Sequence, residues 1–165
     1  MTAEIARLIA GGLLALICCY IGVLIKKKYT ARVRFFKSAT EFCSMLDDEL
    51  SMRKTPIPEV ITKFLDGRVG EFESYITHRC NLSRGRNTDA DYKCRLLKND
   101  EAKDMDTFLS MLGKTDLKDQ LSHVAHYEKV FEKKTEECSE QSKKNGSMYF
   151  KLCVLCGLAI ILILA

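Results

Sequence analysis

Apolar residues gather at the two ends of the chain, and the stretch between them carries its apolar positions at helical spacing. Leu8–Ile25 (LIAGGLLALICCYIGVLI) and Leu152–Ala165 (LCVLCGLAIILILA) contain no charged residue. A helix needs about 20 apolar residues to cross a bilayer core. At about 1.5 Å per residue the first run is roughly 27 Å long, and Ile5 and Ala6 extend it. The second run reaches that length when Met148, Tyr149 and Phe150 are added, with Lys151 snorkelling back to the interface. It also lacks the polar face of a soluble core helix. The pattern therefore predicts a transmembrane helix at each end. A cleavable signal peptide carries its basic residues before the apolar run, whereas here Lys26, Lys27 and Lys28 follow it.

The middle reads as one domain, giving the division 1–28 anchor and basic flank, 29–146 helical domain, 147–165 second span. Six helices are expected. Arg32–Lys54 repeats Phe35, Ala39, Phe42, Leu46 and Leu50 at helical spacing. Thr55-Pro56 breaks it, with Thr55 as cap and Pro56 at the first position of a short helix. That helix presents Val60, Ile61, Phe64 and Leu65 and stops at Gly67. A third places Val69, Phe72 and Ile76 on one face. Asn81–Asp91 is a polar loop, and a fourth helix is expected over Ala90–Leu97. A fifth, Asp100–Leu112, is closed by Gly113. The last starts near Thr115–Asp116 and buries Leu117, Leu121, Val124, Tyr127 and Phe131. Its charged continuation, Glu132–Lys144, reads as a solvated stalk with a break at Asn145-Gly146. No segment alternates at period two, so the expected class is all-α: an antiparallel bundle between two transmembrane helices.

Charge sets the orientation. Lys26, Lys27, Lys28, Lys143, Lys144 and Lys151 flank the apolar runs on their inner sides, and Arg7 is the only basic residue at the distal ends. The positive-inside rule puts the middle in the cytoplasm and both termini outside. The same lysines should attract anionic lipid headgroups. A net charge of +4 is mild, and the acidic residues are spread too evenly for a nucleic-acid face.

Little here points to chemistry. There is no glycine-rich phosphate loop, nucleophile elbow or paired-ligand zinc pattern. No residue is assigned a catalytic, cofactor-binding or metal-binding role, and no small-molecule substrate is expected. His123 and His126 lie three apart and read as polar-face residues. Asp47-Asp48-Glu49 reads as a solvated acidic face. Eight cysteines are present, and most read as small hydrophobes. Cys153-x-x-Cys156 has redox spacing but lies inside an apolar run. Asp116 and Gln120 share a face, Asp116 serving as cap or helix-dipole partner.

The chain resembles the stage III sporulation protein AB family of endospore-forming bacteria. The resemblance rests on the anchor with its basic flank and on Glu49-Leu50 leading into Thr55-Pro56-Ile57-Pro58-Glu59. It continues through Leu112-Gly113-Lys114-Thr115-Asp116, then Gln120 and His123, and through Lys143-Lys144 into the Gly157-Leu158 tail. Nearly the whole chain is covered; the Asn81–Asp91 loop and the cysteine load depart from the family pattern. The resemblance implies a mother-cell membrane protein of a secretion-like channel complex to the forespore. It also implies a helical domain similar to the F-type platform proteins of type II secretion. Implied partners are a cytoplasmic secretion-type ATPase and the other membrane components of that complex. A non-enzymatic assembly platform is thus expected, the alternatives being a membrane-tethered adaptor or signalling domain and a thiol redox protein. Thr55, Pro56 and Gly113 mark the helix junctions. Glu59, Asp116 and Gln120 beside them are the candidate partner contacts.

Overall fold

The computed structural model describes the backbone of residues 2–83 and 94–164, and it is helical with no strand among them. Helix α1 (Thr2–Asp48) runs unbroken from the first apolar run into the middle of the chain. It ends in a π-turn, Glu49–Arg53. Helices α2 (Ile57–Leu65), α3 (Glu71–Ser83), α4 (Asn99–Met111) and α5 (Leu117–Gln141) follow. A second π-turn, Ser142–Gly146, joins α5 directly to α6 (Ser147–Leu164). The charge-free runs are helical within α1 and, as far as Leu164, within α6. Among the described residues, however, no helix is long and apolar enough to cross a membrane. The sequence runs extend over positions whose side chains are not described.

The chain forms two compact units. One comprises residues 1–30 with 137–165; the other is 31–136. Residues 137–146, read from sequence as the end of the middle domain, therefore group with the terminal helices.

In the unit 31–136, the core is aromatic. Phe35, Phe36, Phe42, Phe64, Phe72, Tyr75, Phe108 and Phe131 are all buried, with Leu46, Val60, Ile76, Met105 and Val124 filling between them. Phe42 sits at the centre, edge-on to Phe64, Phe72 and Phe108, the arrangement ring quadrupoles favour. Arg32 on α1 donates through one nitrogen, Nη2, to both carboxylate oxygens of Glu101 at the start of α4, at 2.7 and 3.0 Å. Phe42 meets Phe108 further along the same two helices, so these stretches share a direction. Residues 112–116 then fold α5 back on α4 as an αα-hairpin. Phe108 packs against Tyr127 and Phe131 of the returning helix.

Several expectations are corrected. Val69 is fully exposed, because α3 begins only at Glu71 and Gly70 precedes it with its carbonyl accepting from Ser74. Leu117 opens α5 and is exposed as well. Cys94–Lys98 forms a turn rather than the end of a helix, the Leu97 amide donating to Cys94 O. The rest of that expected helix, and most of the Asn81–Asp91 loop, lie outside the described residues. Asn145-Gly146 does not break the chain but sits in the second π-turn. The Glu132–Lys144 stalk is not fully solvated, since Cys138 is buried.

In the other unit, the polarity is inverted. Seven large apolar side chains between Leu13 and Leu24, and five between Met148 and Leu158, are exposed. Among the described residues of this unit, Gly22, Gly146 and Gly157 are buried, with Cys138. A Cβ added at Gly146 would lie 4.0 Å from Lys26 Cγ and from the Tyr29 ring. A methyl group would fit there at ordinary contact distance, and a longer side chain would meet α1.

Candidate partner-docking site

The end of α1 supplies the anchor of the site. Glu49 follows Phe42 and Leu46 at helical spacing, and its carboxyl is carried in with them: the residue is 7 % exposed. This corrects the reading of Glu49 as part of a solvated acidic face. Burial of a carboxylate is tolerable only with donors around it, and three are present. Lys63 Nζ of α2 donates at 2.5 Å, Thr55 Oγ1 at 2.8 Å and Arg53 Nη1 at 3.1 Å. The hydrogen bonds from Lys63 and then Thr55 hold the Glu49 carboxyl below its ordinary range, against burial, and the charges of Arg53 and Lys63 add to them. Glu49 O also accepts the Lys54 and Thr55 amides. The chain reverses at Lys54, a non-glycine residue at φ +52°.

Thr55 was expected to cap α2. It binds Glu49 instead, and the residue at the cap position is Pro56, in extended backbone and with no side-chain cap. Pro58 enters the first turn, where no amide donor is needed. The cap shifts by one residue because the Thr55 hydroxyl has a carboxylate to satisfy. Glu59 is exposed in the first turn of α2. It lines an open depression of about 910 Å³ with Glu49, Arg53, Thr55, Lys63 and Asp66.

The second junction packs against the first. Leu112 (φ −60°, ψ 122°) and Gly113 (φ +80°) form the centre of a type II turn closed by the Lys114 amide on Met111 O at 3.2 Å. A Cβ on Gly113 would stand 3.6 Å from Ile57 Cδ1, so this turn rests on the start of α2. Asp116 is exposed immediately before α5, and its carbonyl accepts the Gln120 amide at 2.9 Å. Its negative charge suits the helix start.

Gln120 is a correction: it is 5 % exposed, so it is a core residue and no surface contact. It lies four residues before buried Val124 and belongs to the same stripe. His123 is also turned inward, stacked on Phe108 at 5.9 Å. Burial, and then the neighbouring His126, lower its pKa. The Nε2 atoms of Gln120 and His123 are buried without a hydrogen-bond partner. Among the described residues, no group of His, Cys, Asp or Glu is placed to hold a metal ion. The cysteines are free; burial raises the thiol pKa of Cys43 and Cys94, which makes them poor nucleophiles. The six flanking lysines all lie in the terminal unit, away from this site in sequence.

The residues gathered at the two junctions offer charge and hydrogen bonds on a rigid edge. Together with the helical core they define an all-α protein with exposed polar groups at its helix junctions. Residues 7–165 match the family described as stage III sporulation protein AB, and the chain belongs to that family. It is therefore a stage III sporulation protein. No curated protein and no solved structure matches it.

Proposed function

We propose that this chain is a non-enzymatic assembly platform of a sporulation channel complex between mother cell and forespore. It is anchored in the mother-cell membrane by α1 and α6 and offers its 31–136 unit to a cytoplasmic secretion-type ATPase. The exposed apolar surface of the terminal unit carries the reading. Twelve large apolar side chains facing outward around buried glycines are costly in water. In lipid they are at home, because helices there associate through small residues and turn large ones outward. The lysines at the inner flanks then leave the middle unit on the cytoplasmic side.

Reporter fusions at residues 1 and 165 should read as extracytoplasmic, and a fusion within 84–93 as cytoplasmic. A cytoplasmic C-terminus would remove α6 as a span. Glu59 and Asp116 are the contact candidates, exposed and fixed by the abutting junctions. Glu59→Lys with Asp116→Lys should weaken co-purification of the ATPase while the melting temperature stays nearly unchanged, since surface changes alter stability by about 0.5 kcal/mol. Normal binding by a protein with a lowered melting temperature would make both residues structural and place the interface elsewhere.

A further inference from the structure

Lys26, Lys27 and Lys28 are on α1, and Lys143 and Lys144 are on the second π-turn, more than a hundred residues later. The structure brings them to one level. Gly146 lies against the Lys26 stem and the Tyr29 ring, at 4.0 Å from the position its Cβ would take. All of these residues fall in the same compact unit. From that level, the apolar run of α1 leads away toward the N-terminus and that of α6 toward the C-terminus. Lys26, Lys27, Lys28, Lys144 and Lys151 are exposed. No acidic residue occurs in 21–30 or 141–151. Among the described residues, no carboxylate forms a salt bridge with any of these lysines. Tyr149 and Tyr20 are exposed on the apolar side, where amphipathic rings settle at headgroup depth.

We infer that the lysines of α1 and of the second π-turn form one composite site for the phosphodiester headgroup of an anionic phospholipid, assembled by the close approach at Gly146. The site rests on the membrane reading above and adds to it a lipid class. A phosphate bound there meets ammonium groups from two helices, while its acyl chains lie along the exposed Leu, Ile and Val side chains of the same pair. A free phosphate would gain the first contact and not the second, so the lipid is the occupant that uses the whole surface. The π-turn has a direct part in this. One extra residue in the turn shifts the faces of the helix that follows, and Lys143 and Lys144 sit within that turn.

The test is reconstitution of the full-length chain into nanodiscs of phosphatidylcholine with a minor fraction of phosphatidylglycerol. The lipids that remain with the protein after mild detergent release are then measured. The wild-type chain should retain phosphatidylglycerol at several times its bulk fraction. Joint replacement of Lys26, Lys27, Lys28, Lys143 and Lys144 by Gln should return the ratio to bulk, and replacement by Arg should keep it. Gly146→Leu leaves every charge in place but pushes α1 off the turn, so it should cut the enrichment at least severalfold. Equal enrichment in the Gln variant, or none in the wild type, overturns the site. Unchanged enrichment in Gly146→Leu overturns its composite nature. Loss of enrichment on adding inorganic phosphate at constant ionic strength assigns the lysines to free phosphate instead. A chain that does not enter the discs even in phosphatidylcholine alone fails the membrane reading itself, which separates the two failures.

Discussion

Phe108 should be the most costly single residue to truncate in the 31–136 unit. It is fully buried on α4. Its ring touches four others: Tyr127 at 5.1 Å, Phe131 at 5.4 Å, His123 at 5.9 Å and Phe42 at 6.4 Å between centroids. Phe→Ala in a core costs about 3–5 kcal/mol, the spread reflecting how far the site can collapse. Here collapse is resisted, because the neighbours are rings held on α1 and α5, and each lost aromatic pair adds to the burial lost. We therefore expect Phe108→Ala at the upper end, about 4–5 kcal/mol. Against a total stability of about 5–15 kcal/mol for a domain, that leaves little or nothing. Phe108→Leu keeps most of the volume and should cost less than about 1.5 kcal/mol. Urea unfolding of the 31–136 segment, followed by far-ultraviolet circular dichroism, reads both. The wild-type segment should give a helical spectrum with a cooperative transition. A shift below about 1 kcal/mol for Phe108→Ala would mean that the ring does not join α1, α4 and α5, and the packing described here would be wrong.

Glu49 is held below its ordinary pKa by Lys63 and Thr55, so its contribution is present above the unfolded value, about 4.3, and is lost as pH falls through the lower folded value. The melting-temperature gap between wild type and Glu49→Gln should therefore be full at pH 7 and close below about pH 4. Gly113→Ala meets only ordinary contact with Ile57 but must hold φ +80°, so denaturation should show a loss of about 1–2 kcal/mol, with Gly113→Asn losing less. Arg32→Met leaves the Glu101 carboxylate, 7 % exposed at its side chain, without the Arg32 Nη2 that donates to both of its oxygens. Removing one partner of a buried pair costs about 3–5 kcal/mol, and the double variant Arg32→Met with Glu101→Leu should recover part of it.

The fold was legible where apolar spacing was dense. Phe35, Ala39, Phe42 and Leu46 mark one face of α1 and Leu50 follows in the π-turn, and all five are buried. Spacing failed at helix ends. Val69 sits three residues before Phe72, but Gly70 intervenes and the helix starts after it. Leu117 has the right spacing for the stripe of α5 yet lies in its first turn and is exposed. Neither π-turn was legible, since one added residue per turn leaves no signature in polarity alone.

The site shows a different limit. Thr55, Pro56 and Gly113 were found as punctuation, and they do stand at junctions; that the two junctions abut, with Gly113 against Ile57, is a tertiary fact that no local signal carries. Residue type alone sends both Glu49 and Gln120 to solvent. Position argued otherwise in both cases. Glu49 falls seven residues after Phe42 and three after Leu46, and Gln120 four before Val124, so each lies on a stripe otherwise marked by apolar residues. A polar side chain on such a stripe is carried inward with its helix and must then find partners. Glu49 finds Lys63, Thr55 and Arg53, and these contacts tie α2 to the end of α1. Because that tie also sets where α2 begins, the exposed position of Glu59 depends on a carboxylate ten residues earlier. The candidate edge is thus fixed from inside the core, and any change at Glu49 should be felt at Glu59 before it is felt elsewhere on the surface.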